Sequence, residues 1–195
     1  RRRDDPDDSP SVLHCGVSFS PSGGWGELIG EEDLIETKVP TLTYTNVPYD
    51  QYERTKVDFW QAEGKGPRPL MVFIHGGGWS QGSKDKTSGK NIETCLANGI
   101  SVASVGYRLT GEAILPAPVH DAARAVQFLR SKAKEWKINK NKIVLTGGSA
   151  GGCTSVWLAC HDDLANPNAK DPVERESTRV QGLSVRGAQT ALDPQ

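Results

Sequence analysis

No stretch of this chain approaches the roughly 20 apolar residues that a bilayer span requires. The polar, acidic beginning also lacks the apolar core of a signal peptide, so a soluble chain is expected, with a removed leader left open. Its single methionine is Met71, which leaves no initiator at the start. Cysteine is scarce too: Cys15, Cys95, Cys153 and Cys160 form no CxxC and no zinc spacing with histidine. That excludes a disulfide scaffold and a zinc centre, and no metal or cofactor is expected. Cys153 and Cys160, seven residues apart, read as small apolar residues on one side of a buried helix, with a nucleophilic cysteine as the alternative. Charge of one sign is missing as well. Lys and Arg number 23 against 24 Asp and Glu, a net charge of -1, and the basic cluster Arg1-Arg2-Arg3 is answered at once by Asp4, Asp5, Asp7 and Asp8. Nucleic acid is therefore excluded as a partner.

Within 195 residues there is room for one domain with a sizeable core. Residues 1–37, rich in Asp, Pro, Ser and Gly and without sustained period, read as a mobile leader, and residues 38–195 as the folded domain. Leu42 to Val47 and Thr55 to Trp60 have the β-branched and aromatic content of two antiparallel strands. From Leu70 onward strands alternate with helices: Leu70 to Ile74, a short helix around Ile92 to Leu96, Ser101 to Val105, and an amphipathic helix marked by Ala122, Ala125, Val126, Leu129, Ala133 and Trp136. The strand Ile143 to Leu145 follows, then a helix from Ala150 to about Cys160, a polar loop to about Thr178, and a last strand around Leu183 to Ala188. This alternation predicts an α/β fold, a mostly parallel doubly wound sheet with helices on both faces and an antiparallel N-terminal strand pair.

Two glycine clusters carry the chemistry. Gly147-Gly148-Ser149-Ala150-Gly151 joins a strand to a helix, and a turn built this way holds one hydroxyl proud of the backbone. His75-Gly76-Gly77-Gly78-Trp79 follows the Leu70 strand, and three successive glycines leave N–H groups free to face an anion. The alternatives are tight turns without chemistry, or a phosphate cradle, although neither cluster matches G-x-G-x-x-G or ends in GK[ST].

In this order the two segments resemble the hormone-sensitive-lipase-like and bacterial esterase branch of the α/β-hydrolase family, over roughly residues 40–195. The resemblance implies a serine hydrolase that cleaves a small-molecule carboxylic ester through an acyl-enzyme. Ser149 is then the nucleophile, and the N–H groups of Gly76, Gly77 and Ala150 form the oxyanion hole. A side chain at Gly77 is expected to crowd the anion. The family's triad runs serine, acid, histidine, but the one histidine after Ser149 is His161, about three helical turns along the next helix. His161 is read as a surface residue, His75 as a brace for the glycine loop, and His120 as lying beside Asp121, a helix N-terminal charge. His14 belongs to the leader. Asp193, after the last strand, is the candidate acid. Asp162, Asp163, Asp171, Glu174 and Glu176 read as a solvated loop. The chain is thus expected to be the N-terminal two-thirds of such a domain and not to turn over esters alone; a non-catalytic binding or remnant protein is the rival reading.

Overall fold

The alternation of strand and helix signals is realised as a six-stranded sheet in the computed structural model, which describes residues 40–188. The leader read over residues 1–37, with His14 and Cys15, lies outside the described residues, as does Asp193. The strands are β1 (Tyr44–Pro48), β2 (Lys56–Trp60), β3 (Arg68–Ile74), β4 (Ser101–Val105), β5 (Ile138–Gly148) and β6 (Gly182–Arg186). Three helices connect them: α1 (Gly89–Ala97), α2 (Ala117–Ser131) and α3 (Ala150–Cys160). Spatial order is β1-β2-β4-β3-β5-β6. The strands β4, β3, β5 and β6 run parallel, while β1 pairs with β2 and β2 with β4 antiparallel.

Helices cover both faces because the central strands are apolar on both. Every residue of β4 is buried, and successive side chains point to opposite faces. Val102 joins Trp60 and Ile92, under α1. Ala103 and Val105 join the larger core under α2 and α3, with Phe59, Val72, Leu129 and Leu145.

Three boundaries differ most from the sequence reading. Helix α2 begins at Ala117, five residues before the first apolar marker, because Pro118 sits in its first turn, where a missing N–H costs nothing. It ends at Ser131, so Trp136 arrives from the following turn, fully buried between Tyr44 and Phe59 with ring centroids 4.7 and 4.8 Å away. Strand β5 begins at Ile138 rather than Ile143, extended by the polar run Asn139 to Lys142, since Ile138 still pairs with Arg68 of β3.

Candidate active site

Strand β3 leads into α1 on one face of the sheet, and its neighbour β5 leads into α3 on the other. The chain therefore diverges outside the carboxyl ends of these two strands, and such a divergence opens a crevice where ligands bind in parallel sheets. The loop after β3 is Gly76 to Gly82, and the turn after β5 is Gly148-Ser149. Both glycine clusters thus meet at the crevice.

Ser149 is exposed and stands at the N-cap of α3 with φ 51° and ψ -125°. A non-glycine residue rarely adopts this conformation, which costs of order 1–3 kcal/mol and persists only when its surroundings over-determine it. They do so here. Its N–H donates to the Arg186 carbonyl of β6 (3.0 Å), and its carbonyl accepts from Cys153 N–H one turn into α3 (2.8 Å). The side chain makes no cap hydrogen bond, so the hydroxyl of this exposed residue is not spent on the helix.

Close backbone approach fixes where the serine stands. A Cβ at Gly147 meets the Ile74 carbonyl at 2.5 Å, and one at Gly151 collides with the same carbonyl and with that of His75 at 2.6 Å. A Cβ at Gly76 lies 2.6 Å from the Gly148 carbonyl. The end of β3 and the start of α3 therefore press main chain against main chain. Gly77 has φ +112°, and its carbonyl closes a turn by accepting from Ser80 and Gln81 N–H, both at 3.0 Å. A Cβ there runs into the Gln81 carbonyl. The turn itself therefore calls for glycine at this position. Among the described residues, the N–H groups of Gly77 and Ala150 find no acceptor.

His75 is buried, its ring stacked on Tyr107 at 4.1 Å, with Nδ1 2.8 Å from the Gly76 carbonyl. Burial lowers its pKa, against a smaller opposing effect of that hydrogen bond. Its backbone carbonyl accepts from the Tyr107 hydroxyl (2.7 Å). These contacts anchor the residue that precedes the glycine loop. His161 caps the far end of α3, twelve residues and about 18 Å from Ser149, stacked on Trp157 at 4.1 Å. His120 lies edge-on to Trp157, at 5.6 Å. No hydrogen bond joins any of the three to Ser149.

Two readings of the sequence change. Asp121 is not a helix N-terminal charge: it is the fifth residue of α2, buried, and grips Arg108 through Nε (2.8 Å) and Nη2 (2.6 Å), as well as its backbone N–H (3.0 Å). Arg108 lies three residues beyond the end of β4, so the pair ties that loop to α2. Cys153 is buried, with its thiol pKa raised by burial, but Cys160 is exposed, because the last turn of α3 runs out of the core. The acidic loop, exposed at Asp162, Asp163 and Glu174, is pinned by its side chains rather than free. Asp171 pairs with Arg124 (2.6 Å), Glu176 with Lys140 (2.5 Å), and Asp163 accepts from Ser177 (2.6 Å) and Thr178 N–H (2.8 Å). Burial works to raise the Asp163 pKa, yet these hydrogen bonds win and hold it below the usual range.

Two supports of the glycine loop were not read from the sequence. The buried Trp79 indole donates to Thr154 Oγ1 of α3 (3.0 Å), and Arg54 Nη2 donates to the Gly82 carbonyl (2.6 Å). A lone tryptophan closing a run of glycines is the signal that points to the first. Arg54 carries none, because its partner is a backbone carbonyl 28 residues away.

Comparison with known proteins follows the same lines. Residues 58–184 match the BD-FAE family model. The chain is 37% identical over 94 residues to carboxylic ester hydrolase LipN of Mycobacterium tuberculosis, covering 48% of this chain and 25% of that protein. It is 30% identical over 133 residues to carboxylesterase NlhH of the same organism, covering 68% of this chain and 40% of that protein. The chain thus spans less than half the length of these relatives. Among solved structures, the acetyl ester-xyloside bifunctional hydrolase of Caldicellulosiruptor lactoaceticus superposes with a TM-score of 0.62 at 27% identity, over 67% of this chain and 47% of that one. Esterase 2 of Thermogutta terrifontis superposes with a TM-score of 0.64 at 22% identity, over 79% of this chain and 59% of that one, a likeness of fold.

Proposed function

The chain belongs to the BD-FAE family and has the α/β-hydrolase fold, and on that premise we propose that it supplies the nucleophile and the oxyanion donors of a carboxylic ester hydrolase. The carrying observation is the strained conformation of Ser149 at the crevice end of β5. A binding module gains nothing from such strain, whereas a nucleophile gains an exposed hydroxyl at a helix N-terminus.

In this reading Ser149 Oγ attacks the ester carbonyl and gives up its proton to a base. The carbonyl oxygen gathers negative charge, and the N–H groups of Ala150, Gly77 and Gly76 donate to it. Ala150 suits this role by its place in the first turn of α3, where the helix dipole also favours an anion. Collapse expels the alcohol and leaves an acyl-serine, which water then hydrolyses by the same route. His75 does not serve as the base here, because its ring is buried and its remaining nitrogen, Nε2, is enclosed without a hydrogen-bond partner, Ser149 included. The histidine that takes the proton is supplied from outside residues 40–188, and Asp193 remains the sequence's candidate for the acid. The acetyl ester hydrolase and the two mycobacterial ester hydrolases among the similar proteins support an ester substrate.

The test uses the full-length protein. A fluorophosphonate probe should label Ser149, and Ser149→Ala should abolish both labelling and ester hydrolysis without altering the thermal unfolding midpoint. Hydrolysis that survives in the alanine variant at the wild-type rate removes Ser149 as the nucleophile.

A further inference from the structure

One cleft is left over once the Ser149 turn and its donors are accounted for. It measures about 90 Å³ and lies between the start of α2 and the first turns of α3, lined by Leu115, Pro116, Val119, Cys153, Thr154 and Trp157. Its place in the molecule follows from the hydrogen bonds of α3. Cys153 N–H donates to the Ser149 carbonyl, and Thr154 Oγ1 donates to the Ala150 carbonyl (2.9 Å), so both lining residues sit one turn, about 5.4 Å, below the serine and its neighbour.

The lining is apolar in effect as well as in composition. The Thr154 hydroxyl is spent on Ala150 and on the Trp79 indole. Burial pushes the Cys153 thiol pKa up, which disfavours the thiolate. No charged side chain borders the cleft. Ile114, 80% exposed, and Leu115, 39% exposed, carry the apolar surface outward at its rim, where nothing among the described residues covers them. Isolated exposed apolar residues are ordinary. Two in succession, beside an apolar recess whose lining begins one helical turn from Ser149, are not.

We propose that this cleft receives the apolar flank of the ester and limits its length. The proposal rests on Ser149 being the nucleophile. A void of about 90 Å³ is far smaller than the roughly 300 Å³ or more of a site for a drug-sized ligand, so it suits a short, unbranched chain and turns away a bulky or branched one. Shape at Val119 and Leu115 then sets the cutoff. The same apolar chemistry is offered by the acyl chain or by the alkyl chain of the alcohol, and the experiment separates them.

In the full-length protein, kcat/KM is measured for a series of nitrophenyl esters of rising acyl length, and for acetates of alcohols of rising length. Each methylene accommodated should raise kcat/KM roughly fourfold, up to a cutoff within a few carbons in one of the two series. Val119→Ala should move that cutoff to longer chains. Val119→Phe should depress the longer members at least tenfold relative to the shortest, with the other series unmoved. Leu115→Ala, at the exposed rim, keeps the test open should either Val119 variant fail to fold, and should flatten the same series. A length profile that all folded variants leave unchanged, while turnover still depends on Ser149, overturns the cleft as the subsite. Absence of any Ser149-dependent turnover overturns the esterase reading itself, and the proposal with it.

Discussion

Two loop regions of this molecule are built by opposite means. At the crevice, the turns Gly76 to Gly82 and Gly147 to Gly151 are shaped by main chain against main chain, with carbonyls of Ile74, His75, Gly148 and Gln81 occupying the space where Cβ atoms stand in other residues. The long loop after α3 is shaped by side chains: Asp163 on Ser177 and Thr178, Asp171 on Arg124, Glu176 on Lys140, and Gln127 Nε2 on the Glu176 carbonyl (2.8 Å). A backbone-built turn has no slack, and one methyl group suffices to disrupt it. A side-chain-built loop loses one partner at a time. The first kind fixes where Ser149 stands, and the second only keeps a segment folded against α2 and β5.

Gly151→Ala breaks this comparison most severely. The added Cβ collides with the Ile74 carbonyl, and both sides of the collision are backbone that cannot rotate away. Overpacking of a well-packed region costs typically 1–3 kcal/mol and occasionally more. With no flexible side chain to yield, a loss of about 3 kcal/mol is expected, read by chemical denaturation. A loss under about 1 kcal/mol would show that α3 can shift away from β3, and that the crevice is not rigid.

The sequence carried much of the backbone-built region and little of the side-chain-built one. Strand β4 and helix α3 were legible because apolar and small residues there obey a single local rule over their whole length. The meeting of Gly76 and Ser149 was legible through the order of the two glycine clusters. At Gly77 the sequence did not show the Gln81 carbonyl, which only the fold brings against it. Asp121 was misread for a similar reason: its neighbours in sequence suggest a helix start, while its partner Arg108 lies 13 residues earlier on another loop. The ion pairs of the acidic loop span up to 50 positions, from Arg124 to Glu174, a separation at which charge pattern alone selects no partner.

Ser149→Gly sharpens the comparison from the other side. Glycine reaches φ 51°, ψ -125° without steric cost, which releases a strain of order 1–3 kcal/mol, against roughly 0.5–1 kcal/mol for the extra freedom glycine loses on folding. A net gain of about 1 kcal/mol is expected in the thermal unfolding midpoint, together with loss of fluorophosphonate labelling. A protein made stabler by deleting its reactive group is the signature of strain kept for function. If Ser149→Gly is instead less stable than Ser149→Ala, the turn holds no strain worth releasing.

Asp171→Asn has the smallest expected effect and tests the side-chain-built loop. The substitution keeps an oxygen for Val173 N–H, 2.9 Å away, and removes only the charge that faces Arg124. The Asp171 pKa is lowered, first by the Arg124 hydrogen bond and then by that of Val173, so the carboxylate stabilises the folded state. That contribution is fully present above the ordinary value of 3.8 and is lost as pH falls through the lower folded-state pKa. Since a third of the Asp171 side chain is exposed, solvent screens the pair, and a loss of less than about 1 kcal/mol is expected at neutral pH and low salt. The gap between wild type and variant should narrow in high salt, and close once the carboxyl is protonated. Urea unfolding at neutral pH and again well below pH 3.8, with and without added salt, reads all of these. A loss that exceeds 2 kcal/mol and ignores salt would place Asp171 with the rigid kind of construction, and the distinction between the two regions would fail.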